Sequence, residues 1–188
     1  RMARPLDHAK RTQLLADVVG YIAEHGLADL SLRPLAAELG TSSRMLIYYF
    51  GTKEELLVQA LATQHPGFSS LFSGISDRDG LRAGLEELWT STTRGESSVS
   101  TKILLQVMGV ASVQRGPFSD FATSAIHTLI DAVADAMVRC GISTRHSRDS
   151  ATVAVSGLRG ILLDRLVTGD AARTDRSASR LIEQVVAE

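Results

Sequence analysis

The sequence predicts an all-α protein made of a small N-terminal domain and a larger helical domain. Apolar residues recur at the spacing of a helix face in several long segments, no segment shows the alternation of a half-buried strand, and prolines number only four among 188 residues. The chain is 44% hydrophobic, which is ample for a buried core. We place the domains at residues 1–51 and 52–188.

Composition and charge favour a cytoplasmic protein. The net charge is −1, but residues 1–53 carry seven basic and five acidic side chains and are mildly basic. Cys140 is the single cysteine and cannot form an internal disulfide, which fits a reducing compartment. The N-terminus lacks the pattern of a secretory signal. No apolar run approaches the roughly 20 residues that span a bilayer, so we expect no membrane partner.

The first two helices have recognisable ends. Apolar residues on one face predict a helix from Asp7 to His25, and Gly26 favours its termination because glycine adopts a left-handed conformation at low cost. Ser31 is the predicted cap of a helix over residues 32–39. Pro34 lies in the first turn of that helix, where the missing N–H costs nothing.

Two more helices follow closely. Ser42 is the predicted cap of a third helix over residues 43–49. Thr52 and Glu55 match a reciprocal capping box that opens a fourth helix, which we expect to run to about His65.

The remainder of the chain reads as five longer helices. Their predicted ranges are 79–93, 101–114, 118–140, 145–168 and 175–187. The clearest loop is the serine-rich stretch 91–100.

The second and third helices form a helix-turn-helix pattern. Their apolar residues are expected to pack against the first helix, which leaves the other face of the third helix exposed. That helix has the size to enter the major groove of DNA. Arg44, Met45 and Tyr48 are the candidates for base contacts, and Arg44 can pair with guanine through two hydrogen bonds.

This region resembles the TetR family of repressors. The resemblance covers about residues 10–60 and lies in the segments 32–36, 40–42, 46–50 and 53–57. Position by position it implies DNA-phosphate contacts from a second set of residues: Ser31, Arg33, Thr41, Ser42, Ser43, Tyr49 and Lys53. The chain departs from the family at Ile47, where tyrosine is usual, and at Tyr49, where histidine is usual. Operator preference therefore need not follow the commoner members.

The larger domain is expected to bind a small, mainly apolar or aromatic effector. The candidate pocket residues are Phe72, Trp89, Leu104, Met108, Phe121 and His127, although ordinary core packing remains an alternative for each. His127 and Asp131 are four residues apart but have no third ligand nearby, so we expect no metal site. We expect no cofactor.

The last two helices are predicted to form a homodimer. Apolar residues cover nearly the whole circumference of the segment 151–167, so we expect one side to meet a partner. The named interface residues are Val155, Leu158 and Leu162, with Gly157 and Gly160 allowing close helix approach. The helix over residues 175–187 would complete a four-helix interface, as in the family.

Together these features predict a ligand-responsive transcriptional regulator, most readily a repressor that binds a palindromic operator as a dimer and is released by its inducer. An activator remains open. The alternative is a helical small-molecule-binding or adaptor protein that has lost DNA binding. An enzyme is not expected, because five scattered histidines and one cysteine form no convergent catalytic set.

Overall fold

The computed structural model describes residues 8–27, 30–63, 67–95 and 97–187. Within these ranges the structure is helical and contains no strand. The α-helices are α1 (His8–His25), α2 (Leu32–Glu38), α3 (Ser43–Phe50), α4 (Lys53–Thr63), α5 (Arg78–Thr93), α6 (Ser98–Val113), α7 (Pro117–Arg139), α8 (Thr144–Thr168) and α9 (Ala171–Ala187), with a short 3-10 helix at Phe68–Phe72. The all-α prediction is confirmed.

Most predicted helix ends agree with the structure within one residue, and two helices begin earlier than predicted. Helix α6 starts at Ser98, which shortens the predicted 91–100 loop. Helix α9 starts at Ala171, where the Asp170 carboxylate accepts a hydrogen bond of 3.0 Å from the Arg173 N–H. The 3-10 helix was not predicted because five residues are too short to show a period. The predicted ends at Asp7 and His65 lie outside the described residues.

The chain forms two compact units. The first unit comprises Arg1–Pro66 and Val99–Ala122, and the second comprises Gly67–Ser98 and Thr123–Glu188. Helices α4 and α6 therefore pack with the first three helices. The domain boundary that the sequence predicts between residues 51 and 52 stays a prediction.

The core of the first unit is a single apolar cluster. Helix α1 packs against α4, and α3 packs against both α2 and α4. Of the apolar helix-turn-helix residues expected to pack against the first helix, Leu35, Ala36 and Leu46 are buried and Leu39 is half-buried. Buried members of the cluster from α1 to α4 include Val18, Ile22, Leu35, Ala36, Leu46, Phe50, Leu56 and Leu57. Helix α6 adds Ile103 and Val107 to the same cluster.

In the second unit, α9 packs against α8 and α5. A Cβ atom at Gly157 would lie 2.5 Å from Leu181 Cδ2, so glycine allows the close approach of α8 and α9 within one chain. Asp175 on α9 accepts hydrogen bonds from Trp89 Nε1 at 2.8 Å and from Arg165 Nη1 at 2.9 Å. It also pairs with Arg94. Apolar contact and one polar cluster thus join α5, α8 and α9.

Helix α7 is long and apolar enough to cross a membrane by length and composition alone. It has 23 residues, and its most apolar 18-residue window has a mean hydropathy of 1.2. The sequence predicted no such segment. One such helix is weak support for a membrane span, because core helices pass the same test.

Candidate nucleic-acid interface

Helices α2 and α3 are joined by a tight turn. The Thr41 N–H donates to the Ala36 carbonyl at 2.9 Å, and Gly40 has a φ of +62° that favours glycine. Ser42 Oγ then accepts from the Met45 N–H at 3.2 Å, which confirms the predicted cap of α3. Ser31 stands at the N-cap position of α2, but its side chain makes no cap hydrogen bond. The predicted capping role of Ser31 is therefore wrong.

Helix α3 has one buried face and one exposed face. Leu46 is fully buried and Phe50 is 4% exposed, and both belong to the core of the first unit. On the opposite side Tyr48 is 58% exposed and Ile47 is 41% exposed. Arg44 is exposed as well. A rigid helix therefore presents a cation and an aromatic hydroxyl to solvent.

The residues predicted to contact DNA all lie in the first unit and fall into two groups by exposure. Exposed members are Ser31, Arg33, Ser42, Arg44 and Tyr48. Half-buried members are Thr41, Ser43, Met45, Tyr49 and Lys53. Tyr49 packs against the core, and its ring meets that of Tyr48 edge-on at a centroid distance of 5.6 Å. The two tyrosines therefore do not both point inward.

Lys53 begins α4 and makes a contact that the sequence did not reveal. Its Nζ donates to the Leu30 carbonyl at 3.1 Å. An ammonium has three donors, so two remain for other acceptors. Lys53 thus also holds the chain just ahead of α2.

The predicted capping box between α3 and α4 is present. Thr52 N–H donates to Glu55 Oε2 at 2.7 Å, and Glu55 N–H donates to Thr52 Oγ1 at 3.1 Å. Hydrogen bonding from the Thr52 backbone N–H, and secondarily from the Thr52 side chain, holds the pKa of the Glu55 carboxyl below its usual value. The cap is therefore fully formed at neutral pH and weakens as pH falls through that lowered pKa.

Two further residues support the end of α3. Gln59 Nε2 on α4 donates to the Phe50 carbonyl at 3.3 Å, and Arg11 on α1 donates to Gln59 Oε1. The Arg11 guanidinium also lies 5.2 Å from the centre of the Phe50 ring. These residues were missed because no local pattern links positions so far apart in the chain.

The predicted pocket residues divide between the two units. Leu104, Met108 and Phe121 are half-buried in the first unit. In the second unit Phe72 and Trp89 are buried and His127 is exposed. Their role as a ligand pocket stays a prediction.

The residues named for the dimer interface are buried within the chain itself. Val155, Leu158 and Leu162 are at most 5% exposed, so they are not available to a partner. The exposed apolar side of α8 carries Val153, Leu163, Leu166 and Val167. Gly160 has no atom within 4 Å of an added Cβ, whereas Gly157 serves the contact with α9. One side of the segment therefore rests on the chain's own core, as expected, but the three named residues lie on that side, and the exposed side is the one that a partner could meet.

One group of side chains in the described residues has the composition of a metal site. Ligand atoms of Glu24, His25 and Glu38 lie within 4.8 Å of one another, and all three residues are exposed. His25 Nδ1 lies 3.1 Å from the Tyr21 carbonyl oxygen, and His25 Nε2 lies 3.9 Å from Glu38 Oε2. Exposed acidic groups commonly lie this close together without an ion, so the cluster by itself indicates no metal site. Asp131, considered with His127 above, pairs with Arg148 instead.

Helices α2 and α3 are joined by a glycine-containing turn, and α3 has one buried face and one exposed face. This arrangement is a helix-turn-helix. Residues 19–60 match the family of bacterial regulatory proteins called the tetR family. This match confirms the resemblance to the tetR family over that segment. The matched family consists of bacterial regulatory proteins, which agrees with the expectation that the chain is not an enzyme.

The chain is also similar to individual proteins. It is 33% identical over 79 residues to the HTH-type transcriptional regulator PksA of Bacillus subtilis (strain 168), a match that covers 42% of this chain and 38% of that protein. The match thus spans less than half the length of either protein.

Three solved structures share the fold over nearly the whole chain. A transcriptional regulator from Rhodococcus sp. Rha1 has a TM-score of 0.75 at 18% identity, covering 94% of this chain and 96% of that one. A SmeT–triclosan complex has a TM-score of 0.74 at 17% identity, covering 95% and 90%. The multidrug binding protein EbrR complexed with proflavin has a TM-score of 0.68 at 19% identity, covering 94% and 99%.

Proposed function

We propose that this protein is a ligand-responsive transcriptional repressor of the cytoplasm that places α3 in the major groove of operator DNA. The observation that carries the proposal is the two-sided character of α3. Its buried face fixes the helix in the first unit, and its exposed face offers Arg44 and Tyr48. A guanidinium can pair with guanine, and a phenol can donate to a base edge or a phosphate.

Phosphate contacts would come from the residues around α3. Ser42, Thr41 and Ser43 surround the turn, and Ser31 and Arg33 lie at the start of α2. Their hydroxyls and the Arg33 guanidinium can bind backbone oxygens, which fixes the register of α3 on the duplex. Lys53 can add a charge through the donors that Leu30 leaves free.

The Arg44→Ala and Tyr48→Ala variants test the groove contacts. We expect each to lower the affinity for an operator selected with the wild-type protein by about ten-fold to a hundred-fold, in line with the loss of one specific base contact. Fluorescence anisotropy at fixed salt measures the affinity. Arg180→Ala, which removes an exposed arginine of the second unit, should leave affinity unchanged. Unchanged affinity in both α3 variants would refute the assignment.

Useful specificity requires two copies of α3, and we propose that α8 supplies the dimer contact. A single helix-turn-helix reads too few bases, whereas two copies about 34–36 Å apart can read a palindrome. The exposed apolar stripe of Val153, Leu163, Leu166 and Val167 is an unusual amount of apolar surface for one helix of a monomer. A second copy of the same stripe would cover it.

Leu163→Asp tests the dimer. A carboxylate in the middle of an apolar interface would be buried without a partner, so we expect a monomer in size-exclusion chromatography with light scattering. DNA affinity should fall with it. Val113→Asp, at an 80% exposed position on α6, is the matched control and should stay dimeric. A dimeric Leu163→Asp protein would show that α8 is not the interface.

The effector is proposed to be a mainly apolar or aromatic compound. Relatives with the same fold are described with proflavin and with triclosan, which are both aromatic. The candidate pocket residues Leu104, Met108 and Phe121 in the first unit, and Phe72 and Trp89 in the second, are apolar or aromatic too. An effector releases DNA only if it binds the non-fitting conformation more tightly, and each ten-fold preference shifts the equilibrium by about 1.4 kcal/mol.

The rival function is a helical small-molecule-binding or adaptor protein without DNA affinity. A protein that neutralises several phosphates loses affinity steeply as salt rises, because bound counterions are released. A steep salt dependence of binding to genomic fragments would therefore exclude the rival. Reporter expression from a bound promoter, with and without the protein, distinguishes repression from activation.

A further inference from the structure

The turn between α1 and α2 is held by a side chain from α6. Gln106 Oε1 accepts a hydrogen bond of 2.9 Å from the Leu27 backbone N–H. The same oxygen lies 3.5 Å from the position of a Cβ atom on Gly26, so Gly26 and Leu27 both lie close to the Gln106 side chain. Both partners belong to the first unit. The contact joins residues 79 positions apart in the chain.

The neighbours of Gln106 on α6 fix the helix against the rest of the first unit. Ile103 is 2% exposed and Val107 is fully buried, and both lie in the apolar cluster formed with α1 to α4. Leu104 and Met108 are half-buried on the same helix and are candidate pocket residues. The Gln106 side chain is therefore carried on a firmly packed helix.

A second side chain holds the other described end of the same turn. Lys53 Nζ on α4 donates to the Leu30 carbonyl, and Leu30 is buried. Gln106 thus accepts a hydrogen bond from the Leu27 backbone N–H, and Lys53 donates one to the Leu30 backbone carbonyl. Ser31 and α2 follow directly after Leu30.

We propose that Gln106 is a positioning residue for DNA binding. Its amide oxygen holds the α1–α2 turn against α6 and thereby fixes the start of α2, which in turn carries α3. The role of Gln106 rests on the proposed function, because its effect is measured through DNA affinity. It goes beyond that function by assigning a residue of α6 that does not itself touch DNA.

Two substitutions at one position separate the hydrogen bond from packing. Gln106→Met keeps the length of the side chain and removes the acceptor. Gln106→Glu keeps an acceptor in the same place, since a carboxylate accepts from a backbone N–H. Gln114→Met, at an exposed glutamine just beyond α6, is the matched control.

Gln106→Met loses one net hydrogen bond, so we expect its affinity for the selected operator to be about five-fold weaker than that of the wild type. The Leu27 amide should exchange with deuterium faster by a similar factor, while buried amides of α3 keep their protection. Gln106→Glu and Gln114→Met should match the wild type in both measurements. Rescue by glutamate is the result that a role in packing alone would not produce.

The outcomes distinguish the two proposals. If the wild type binds DNA and Gln106→Met binds equally well, the positioning role is overturned and the proposed function stands. Failure of Gln106→Glu to restore wild-type affinity overturns the role as well. If the wild type shows no salt-sensitive DNA affinity, the proposed function is wrong. The positioning role of Gln106 is then wrong as well, whatever the deuterium-exchange rate of the Leu27 amide.

Discussion

The Leu46→Ala variant is expected to lose about 3 kcal/mol of unfolding free energy in the first unit. Leu46 is fully buried between the helices of that unit, so truncation removes apolar contacts and leaves a cavity. The surrounding helices are short, and α3 has only eight residues. An isolated helix of that length is not stable in water, so α3 depends on this packing. Urea unfolding followed by far-ultraviolet circular dichroism measures the loss.

The neighbouring residue provides the control. Ile47→Ala removes a side chain that is 41% exposed, and its effect on unfolding should be much smaller. Equal destabilisation by the two variants would contradict the division of α3 into a buried and an exposed face. That division is also the basis for assigning Arg44 and Tyr48 to DNA.

The Asp175→Ala variant is expected to lose about 2 kcal/mol of unfolding free energy in the second unit. The carboxylate accepts from Trp89 Nε1 and pairs with Arg165, whose side chain is only 16% exposed. Removing the carboxylate leaves that guanidinium without its anion and the indole N–H without its acceptor. Tryptophan fluorescence measures the transition, because Trp89 is the single tryptophan and touches the changed site.

The pH dependence of the same contact has a definite sign. Partial burial works against ionisation of Asp175, but the hydrogen bond from Trp89 and the charges of Arg165 and Arg94 outweigh it, so the pKa of this carboxyl is lowered. Its stabilising contribution is therefore complete above the unfolded pKa of about 4 and is lost as pH falls through the folded value. Asp175→Ala should lack this acid-dependent loss.

Asp164→Ala is the matched control for Asp175→Ala. Asp164 also pairs with an arginine, through two bonds of 2.7 Å to Arg173, but this pair lies at the surface. Exposed ion pairs contribute little because water screens them. An Asp164→Ala protein as unstable as Asp175→Ala would show that burial of Arg165 is not the cause.

Local signals in the sequence were enough to predict the helices and the helix-turn-helix. Ser42, Thr52 and Glu55 cap helices through contacts within three residues, so the sequence alone contains both partners. The spacing of apolar residues likewise revealed the buried face of α3. Ser31 shows the limit of such signals, because a residue at the right position need not use its side chain.

Contacts between distant segments could not be predicted in this way. Apolar residues on every side of α8 did not reveal that Val155, Leu158 and Leu162 are buried within the chain, whereas Leu163 is exposed. Gly157 and Gly160 looked equivalent, yet only Gly157 has Leu181 beside it. Gln106 carried no signal at all, since its partner is a backbone N–H that any residue at position 27 would supply.

The junction between α3 and α4 has a mechanical consequence. Gly51 has a φ of +87°, and a Cβ atom there would lie 2.2 Å from Glu55 Oε2. A methyl group at this point would push the carboxylate off the Thr52 amide, and bending the junction would break the hydrogen bond from Gln59 Nε2 on α4 to the Phe50 carbonyl at the end of α3. The angle between α3 and α4 is thus stiff over a span of a few residues. A rotation imposed on α4 would therefore turn α3 with it as one body.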